Sequence, residues 1–389
     1  MWGHQSAKLL GSSYPQFLAE ADGVSIRDVD GHSYIDLLCG YGPIILGYRR
    51  PEVEAAADRQ RRLADCQNAP SRLAVDLAEL LVDTISHADW AILAKNGTDA
   101  TTACLTIARC ATGRSIILAA RGAYHGAAPW CTPSLEGVLG TDRAAIRYYD
   151  YNDLASVQAV VEDADGDLAG VIVTPFKHFE GLDQELVDPG FAQGLRQICD
   201  RTGAALILDD VRCGFRMAVD SSWEPLGVRP DLSAWSKAIG NGYPIAAIVG
   251  SDALRDAAAR PFLTGSFWFS AVPMAAAHAT ISLLRQGDAL TAMMTSGNIL
   301  KAGVLRQAAS FGLAVRYTGV VTMPYMTFTE DTNYERMQLF AERCLSVGLY
   351  LHPRHNWFLS DLHTPAVIGR VLEMTETAFA AVAQEYGKG

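Results

Sequence analysis

No stretch of this 389-residue chain approaches the roughly 20 consecutive apolar residues that a membrane span needs. The first residues, MWGHQSAKLLGSS, lack the apolar h-region of a secretory signal. Positive charge is the minority sign: 32 Lys and Arg stand against 43 Asp and Glu, a net charge of −11. With no basic stripe, nucleic acid is not an expected partner. The eight cysteines (39, 66, 104, 110, 131, 199, 213 and 344) form no CxxC pair, and several sit in apolar contexts where Cys acts as a small hydrophobe. His352 and His355 make a lone HxxH, but Pro353 between them opposes a regular metal-binding helix. Nothing repeats at a fixed period and nothing is low-complexity. These absences lead to the expectation of a reduced, cytoplasmic protein with no metal site, no membrane and no nucleic acid.

What is present is a core. With 49% hydrophobic and 19% charged residues, the chain is long enough for one large domain and a smaller lobe. The most informative stretch runs from Ala204 to Pro244. Ala204 to Leu208 is a short apolar run bounded by Gly203 and by acids, the pattern of a strand buried on both faces. Asp209 and Asp210 stand where it ends, and ligands of parallel α/β sheets bind outside the carboxyl ends of strands. A second run, Leu232 to Trp235, ends at Ser236 and Lys237 before the Gly-rich turn Gly240-Asn241-Gly242-Tyr243-Pro244. An acid at one strand end and a lysine at another meet the needs of pyridoxal phosphate. The lysine forms a Schiff base with the cofactor aldehyde, and the carboxylate keeps the pyridine nitrogen protonated. The same residue types also serve as strand-end caps and solvated lysines, and this stretch alone leaves both readings open.

DDVRCGFR followed by SKAIGNGYP resembles the DEV-x-x-GFR and GKxxGGGxP signatures of class III (ornithine/GABA-type) aminotransferases, nearest to their glutamate-1-semialdehyde aminomutase-like members. The resemblance implies that Asp209 pairs with the pyridine nitrogen, Val211 packs under the ring and Lys237 is the Schiff-base lysine. Further motifs follow in the family's order. Asn96-Gly97-Thr98-Asp99-Ala100 lies between a strand expected at Trp90 to Ala94 and a helix, where free N–H groups and the positive helix end attract a phosphate. The same pattern serves as an ordinary N-cap. It is similar to the family's SGTEA, which makes Gly97 and Thr98 phosphate ligands. Tyr124-His125-Gly126, after a strand at Ile116 to Ala119, matches a family triplet whose aromatic stacks on the pyridine with the His close by.

The matches elsewhere are looser. Tyr41, in Cys39-Gly40-Tyr41-Gly42-Pro43, falls where the family places an aromatic near substrate, although a plain Gly/Pro turn also fits. After a strand at Gly170 to Thr174 the family's VEP becomes Val173-Thr174-Pro175. Lys177 then falls at or near a glutamine that contacts the cofactor's phenolic oxygen. It is expected as a second cation or a substrate-carboxylate clamp, unless the rebuilt loop turns it to solvent. Ser266 is the nearest match to a threonine that reaches the partner's cofactor phosphate across a dimer, and SFWFSAVP departs from the commoner GT-x-x-x-NP. Arg354 is a candidate carboxylate anchor. His355 stands where related aminomutases carry a Glu.

The resemblance covers residues 14 to 370. It implies an α/β fold-type I architecture: a mostly parallel sheet of the seven-stranded type in a large domain (46–285), with a small α+β domain from both termini (1–45 and 286–389). It further implies a homodimer with shared active sites. The expected activity is transamination between a small-molecule amino donor and a keto acceptor, with Lys237 serving as acid and base in the 1,3-proton shift. Aminomutation and racemisation share the first half of that chemistry and stay open. A catalytically silent protein that keeps the fold is the non-enzyme alternative, and the Asp209/Lys237 pair argues against it.

Overall fold

The computed structural model describes residues 10–179 and 181–387. In chain order, the strands β1 (Leu18–Asp22), β2 (Ser25–Asp28) and β3 (Ser33–Asp36) precede helices α1 (Pro51–Leu63) and α2 (Leu73–Thr84). There follow β4 (Trp90–Ala94), α3 (Gly97–Thr112), β5 (Ile116–Ala120), β6 (Ile146–Tyr149), α4 (Leu154–Asp163), β7 (Leu168–Val173), α5 (Pro189–Thr202) and β8 (Ala205–Asp209). Next come β9 (Leu232–Trp235), β10 (Ala246–Gly250), α6 (Arg255–Ala259), α7 (Ala271–Gln286) and α8 (Ala289–Ser310). The chain closes with β11 (Val315–Thr318), β12 (Tyr325–Phe328), α9 (Glu335–Ser346), β13 (Leu349–Tyr350) and α10 (Pro365–Tyr386).

The described chain falls into two compact units. One comprises Glu52–Phe179 and Leu186–Gly287 and holds a seven-stranded sheet in the order β4-β10-β9-β8-β7-β5-β6. The pairs β6/β5, β5/β7, β7/β8 and β8/β9 are parallel. Strand β10 runs antiparallel to both β9 and β4, so β4 points the same way as the parallel strands. Every residue of β5, β7, β8, β9 and β10 is buried, which is why they read as largely apolar runs and not as an alternation. Burying each such Leu, Ile or Val contributes about 1.5–3 kcal/mol.

Helices cover both faces of this sheet. On one face α3 packs its buried Ala100, Cys104, Ile107 and Ala108 into a core with Ile117, Ile172, Ile207 and Ile248. The other core contains Leu118, Val171, Val173, Leu206 and Leu208 with Phe191, Leu195 and Ile198 of α5. Local chemistry sets the helix ends. For α5, the Asp188 carboxylate accepts from the Phe191 N–H at 3.0 Å, Pro189 opens the first turn and Gly203 closes the last with φ 69°. Residues 252–259 form a 3-10 turn at Asp252–Leu254 followed by the five-residue α6.

The other unit holds a four-stranded sheet, β1-β2-β3-β13, and the two-stranded ribbon β11-β12. Hairpin β2-β3 pairs Ser25 with Ile35 and Arg27 with Ser33 across the Asp30-Gly31-His32 turn. Its Asp28 carboxylate accepts from the Tyr34 hydroxyl at 2.8 Å and from the His32 N–H at 2.9 Å. Phe328, Phe340 and Phe379 pack edge-on or tilted between β12, α9 and α10.

Candidate active site

The topology places five loops at one edge of the large sheet. Strands β4, β5, β7, β8 and β9 all run in one direction, so their carboxyl ends deliver Asn96 to Thr98, Tyr124 to Gly126, His178, Asp209 to Arg212, and Ser236 with Lys237 to the same side. A cavity of about 270 Å³ opens there, lined by these residues. This is where an open α/β sheet binds its ligand.

Asp209 ends β8 and is only 5% exposed. Its Oδ2 lies 2.7 Å from His125 Nδ1, and its Oδ1 accepts from the Val211 N–H at 3.1 Å. The carboxylate is therefore held on two sides. His125 is itself buried, stacks at 6.2 Å on Trp130, and has its carbonyl bonded by the Thr101 hydroxyl at 2.7 Å. Thr101 ties the β5 loop to the first turn of α3. Nothing in the sequence pattern singles it out, because an i+4 Thr inside a helix looks like filler.

Lys237 has φ 50°, a left-handed backbone that L-residues rarely adopt and that clusters at functional sites. Burial first, and the Arg212 guanidinium second, push its amine down to about 7, against the opposing pull of Asp209. A lysine poised near neutrality can give and take protons, as a surface lysine cannot.

The phosphate-type corner is formed at α3. The Asn96 N–H donates to Asp99 Oδ2 at 3.0 Å in a capping box, and the Gly97 and Thr98 N–H groups stand ahead of the helix's own bonding ladder. A Cβ on Gly97 would stand 2.6 Å from a Val211 methyl, so only glycine lets Val211 reach the floor of the cavity. The Thr98 hydroxyl accepts from the Ala127 N–H at 3.1 Å, which joins the α3 and β5 loops.

The sequence model of the aminotransferase class-III family matches residues 10–368. The chain is a class III aminotransferase. It is 48% identical over 386 residues to the aminopentol aminotransferase of Sphingopyxis macrogoltabida, covering 99% of this chain and 92% of that protein. It is 33% identical to the 3-aminobutyryl-CoA aminotransferase of Cloacimonas acidaminovorans (strain Evry), across 95% of this chain and 90% of that one. The solved PLP internal aldimine form of the FumI protein of Sphingopyxis sp. MTA144 superposes with a TM-score of 0.98 at 48% identity, covering 100% of this chain and 94% of that chain. This aminotransferase uses pyridoxal phosphate.

The residues present fit that group. Lys237 would supply the amine, Asp209 a carboxylate for the pyridine nitrogen, Val211 an apolar platform admitted by Gly97, and the α3 N-terminus with Thr98 an anion seat. Tyr124, 37% exposed at the cavity, offers an aromatic face.

The structure brings Gly97, Thr98, Tyr124, His125, Asp209, Val211 and Lys237 into one cavity. The remaining candidates are not among its lining residues. Lys177 is not among the lining residues, and its ammonium lies 5.8 Å from the Phe179 ring centre. Thr174, at the family's Glu position, is buried and turns its hydroxyl onto the Phe176 carbonyl at 2.9 Å. Ser266 is exposed, with its carbonyl near Cys66 Sγ at 3.3 Å. Tyr41, His355 and Arg354 belong to the other unit. There the Tyr41 and His355 rings meet edge-on at 5.2 Å, and the Arg354 guanidinium lies 4.6 Å over Tyr334. Two lining residues were not singled out beforehand, His178 and Arg212. No described helix is long and apolar enough to cross a membrane, and no group of metal-competent side chains occurs among the described residues.

Proposed function

We propose that this aminotransferase takes its amino group from a hydroxylated primary amine of the aminopentol kind and passes it to a keto acid. The observation behind the substrate class is the 48% identity to an aminopentol aminotransferase across 99% of the chain. The site supports the chemistry. When bound, the cofactor serves as an electron sink for the carbon that carries the amine. Lys237 Nζ, with its proton affinity lowered to near neutrality, accepts the proton from that carbon and returns it at the neighbouring position. Asp209 keeps a proton on the ring nitrogen, and the His125 and Val211 N–H bonds hold Asp209 in place while it does so.

We also infer a cytoplasmic homodimer. All eight cysteines are free and six of them are buried, as suits a reducing compartment. Phe262, Phe267 and Phe269 are exposed around the Ser266 loop, an apolar patch that a second copy would cover.

The test is spectroscopic. The holoenzyme's visible band should fade on addition of aminopentol and return with a keto acid, and glutamate 1-semialdehyde should not substitute. A band that persists with every amino polyol while a different amine bleaches it would replace this substrate class. A band that no donor converts would favour aminomutation.

A further inference from the structure

His178 is 3% exposed and lines the same cavity as Lys237. Neither of its ring nitrogens has a hydrogen-bond partner among the described residues. A buried imidazole with both nitrogens unmatched is rare, because the lost hydration is not replaced. The ring is held by its surroundings. The Arg212 guanidinium donates to the His178 carbonyl at 3.4 Å, and the Phe176 ring meets the imidazole edge-on at 5.0 Å. Burial first, then Arg212, Lys237 and His125, keep its proton affinity well below the ordinary histidine value. Asp209 is the one carboxylate among the lining residues, and it is engaged by His125. His178 is thus a neutral imidazole with one N–H to donate and one lone pair to accept.

Pyridoxal phosphate has three polar handles besides its aldehyde carbon. Asp209 answers the pyridine nitrogen, and the α3 N-terminus with Thr98 answers the phosphate. The phenolic oxygen, next to the carbon that Lys237 attacks, has no partner among those residues. We propose that His178 donates a ring N–H to this phenolic oxygen and thereby sets the proton affinity of the lysine-bound nitrogen beside it. The sign follows from competition. The phenolate and the Schiff-base nitrogen share a proton, and a donor on the oxygen stabilises the phenolate without that proton. Removing the donor makes the nitrogen hold its proton more tightly.

The holoenzyme carrying His178→Phe is titrated by absorbance of the visible band from pH 5 to 10, and cofactor affinity is measured by reconstitution of the stripped protein. The midpoint should rise by about one pH unit, a tenfold change in proton affinity, with cofactor affinity weaker by about tenfold. His178→Asn keeps an N–H donor and should return the midpoint at least halfway. If the Phe variant does not fold, His178→Leu carries the same expectation. A donor-free variant that folds and keeps the wild-type midpoint and affinity overturns the proposal. A change confined to KM for the amine also overturns it, by making His178 a substrate contact. Failure of the wild-type protein to show any band would instead refute the cofactor assignment on which the proposal rests.

Discussion

Replacing Lys237 by methionine in the cofactor-free protein should stabilise it, and the gain should fade as the pH rises. Methionine leaves the φ 50° backbone as it is and removes only the titrating amine. In the folded protein the amine is pushed down to about 7 from an ordinary value of 10.5, chiefly by burial and next by Arg212. A depressed folded value means that the native state binds fewer protons than the unfolded state between these limits. The lysine's contribution to stability is therefore complete above 10.5 and is lost as the pH falls through about 7. Within that window the wild type gains at most about 1.4 kcal/mol per pH unit. Lys237 is only partly buried, so screening by water reduces this to about half. The advantage of the Met variant should accordingly shrink by roughly 1–1.5 kcal/mol between pH 7 and 9. Urea denaturation of both stripped proteins at each pH measures this double difference, from which the titrating groups not coupled to Lys237 and the hydrophobic offset of Met cancel. An advantage that is constant with pH, or that grows toward pH 9, refutes the claim that this amine is poised near neutrality.

Three further outcomes test the remaining corners of the site. Gly97→Ala places a Cβ 2.6 Å from a Val211 methyl and should weaken cofactor binding about tenfold, whereas Gly97→Ala with Val211→Ala should recover part of the loss, read by reconstitution. Asp209→Asn keeps the shape but loses a charge-assisted bond to His125 and the partner for a protonated ring nitrogen, so kcat should fall about 10- to 100-fold with the fold intact by circular dichroism. Thr98→Val removes the hydroxyl that joins the α3 and β5 loops and should raise the cofactor Kd several-fold, with the visible band unshifted.

The fold was most readable where burial is two-sided. The run Leu232–Trp235, buried throughout, is bounded by polar residues and reads as a covered strand. Helix α5 was readable from its ends, because Asp188-Pro189 starts it and Gly203 stops it. Other elements have no such signature. Strand β13 is two residues long and exists because Leu349 and Tyr350 register against Ile35 and Asp36, more than 300 positions away. Strand β6, at the sheet edge, is buried only at its ends, so it shows neither alternation nor continuous burial. The site was readable wherever a motif sits at a strand end. It was not readable in the loop after β7, where counting forward from Thr174 points to Lys177. There Phe176 is fully buried, and it is His178, one residue further, that lines the cavity. In extended chain one residue of offset exchanges the faces, so a motif with an altered length cannot say which of two neighbours faces the ligand.

Charge explains why such a site needs its ligand. The chain as a whole is acidic, with a net charge of −11, yet Lys237 feels Arg212 and the fully buried Arg216 as like charges, with Asp209 as the opposing carboxylate. In bulk water these cations would be strongly screened, and within a walled cavity they repel more strongly. A phosphate and a phenolate entering this cavity bring negative charge that, among the lining residues, comes otherwise from Asp209 alone. Burial first, and this repulsion second, lower the lysine's proton affinity before the cofactor arrives, so that the amine is nucleophilic at neutral pH. Binding and activation therefore have one electrostatic origin, and Arg212, which no single motif identifies, belongs to both.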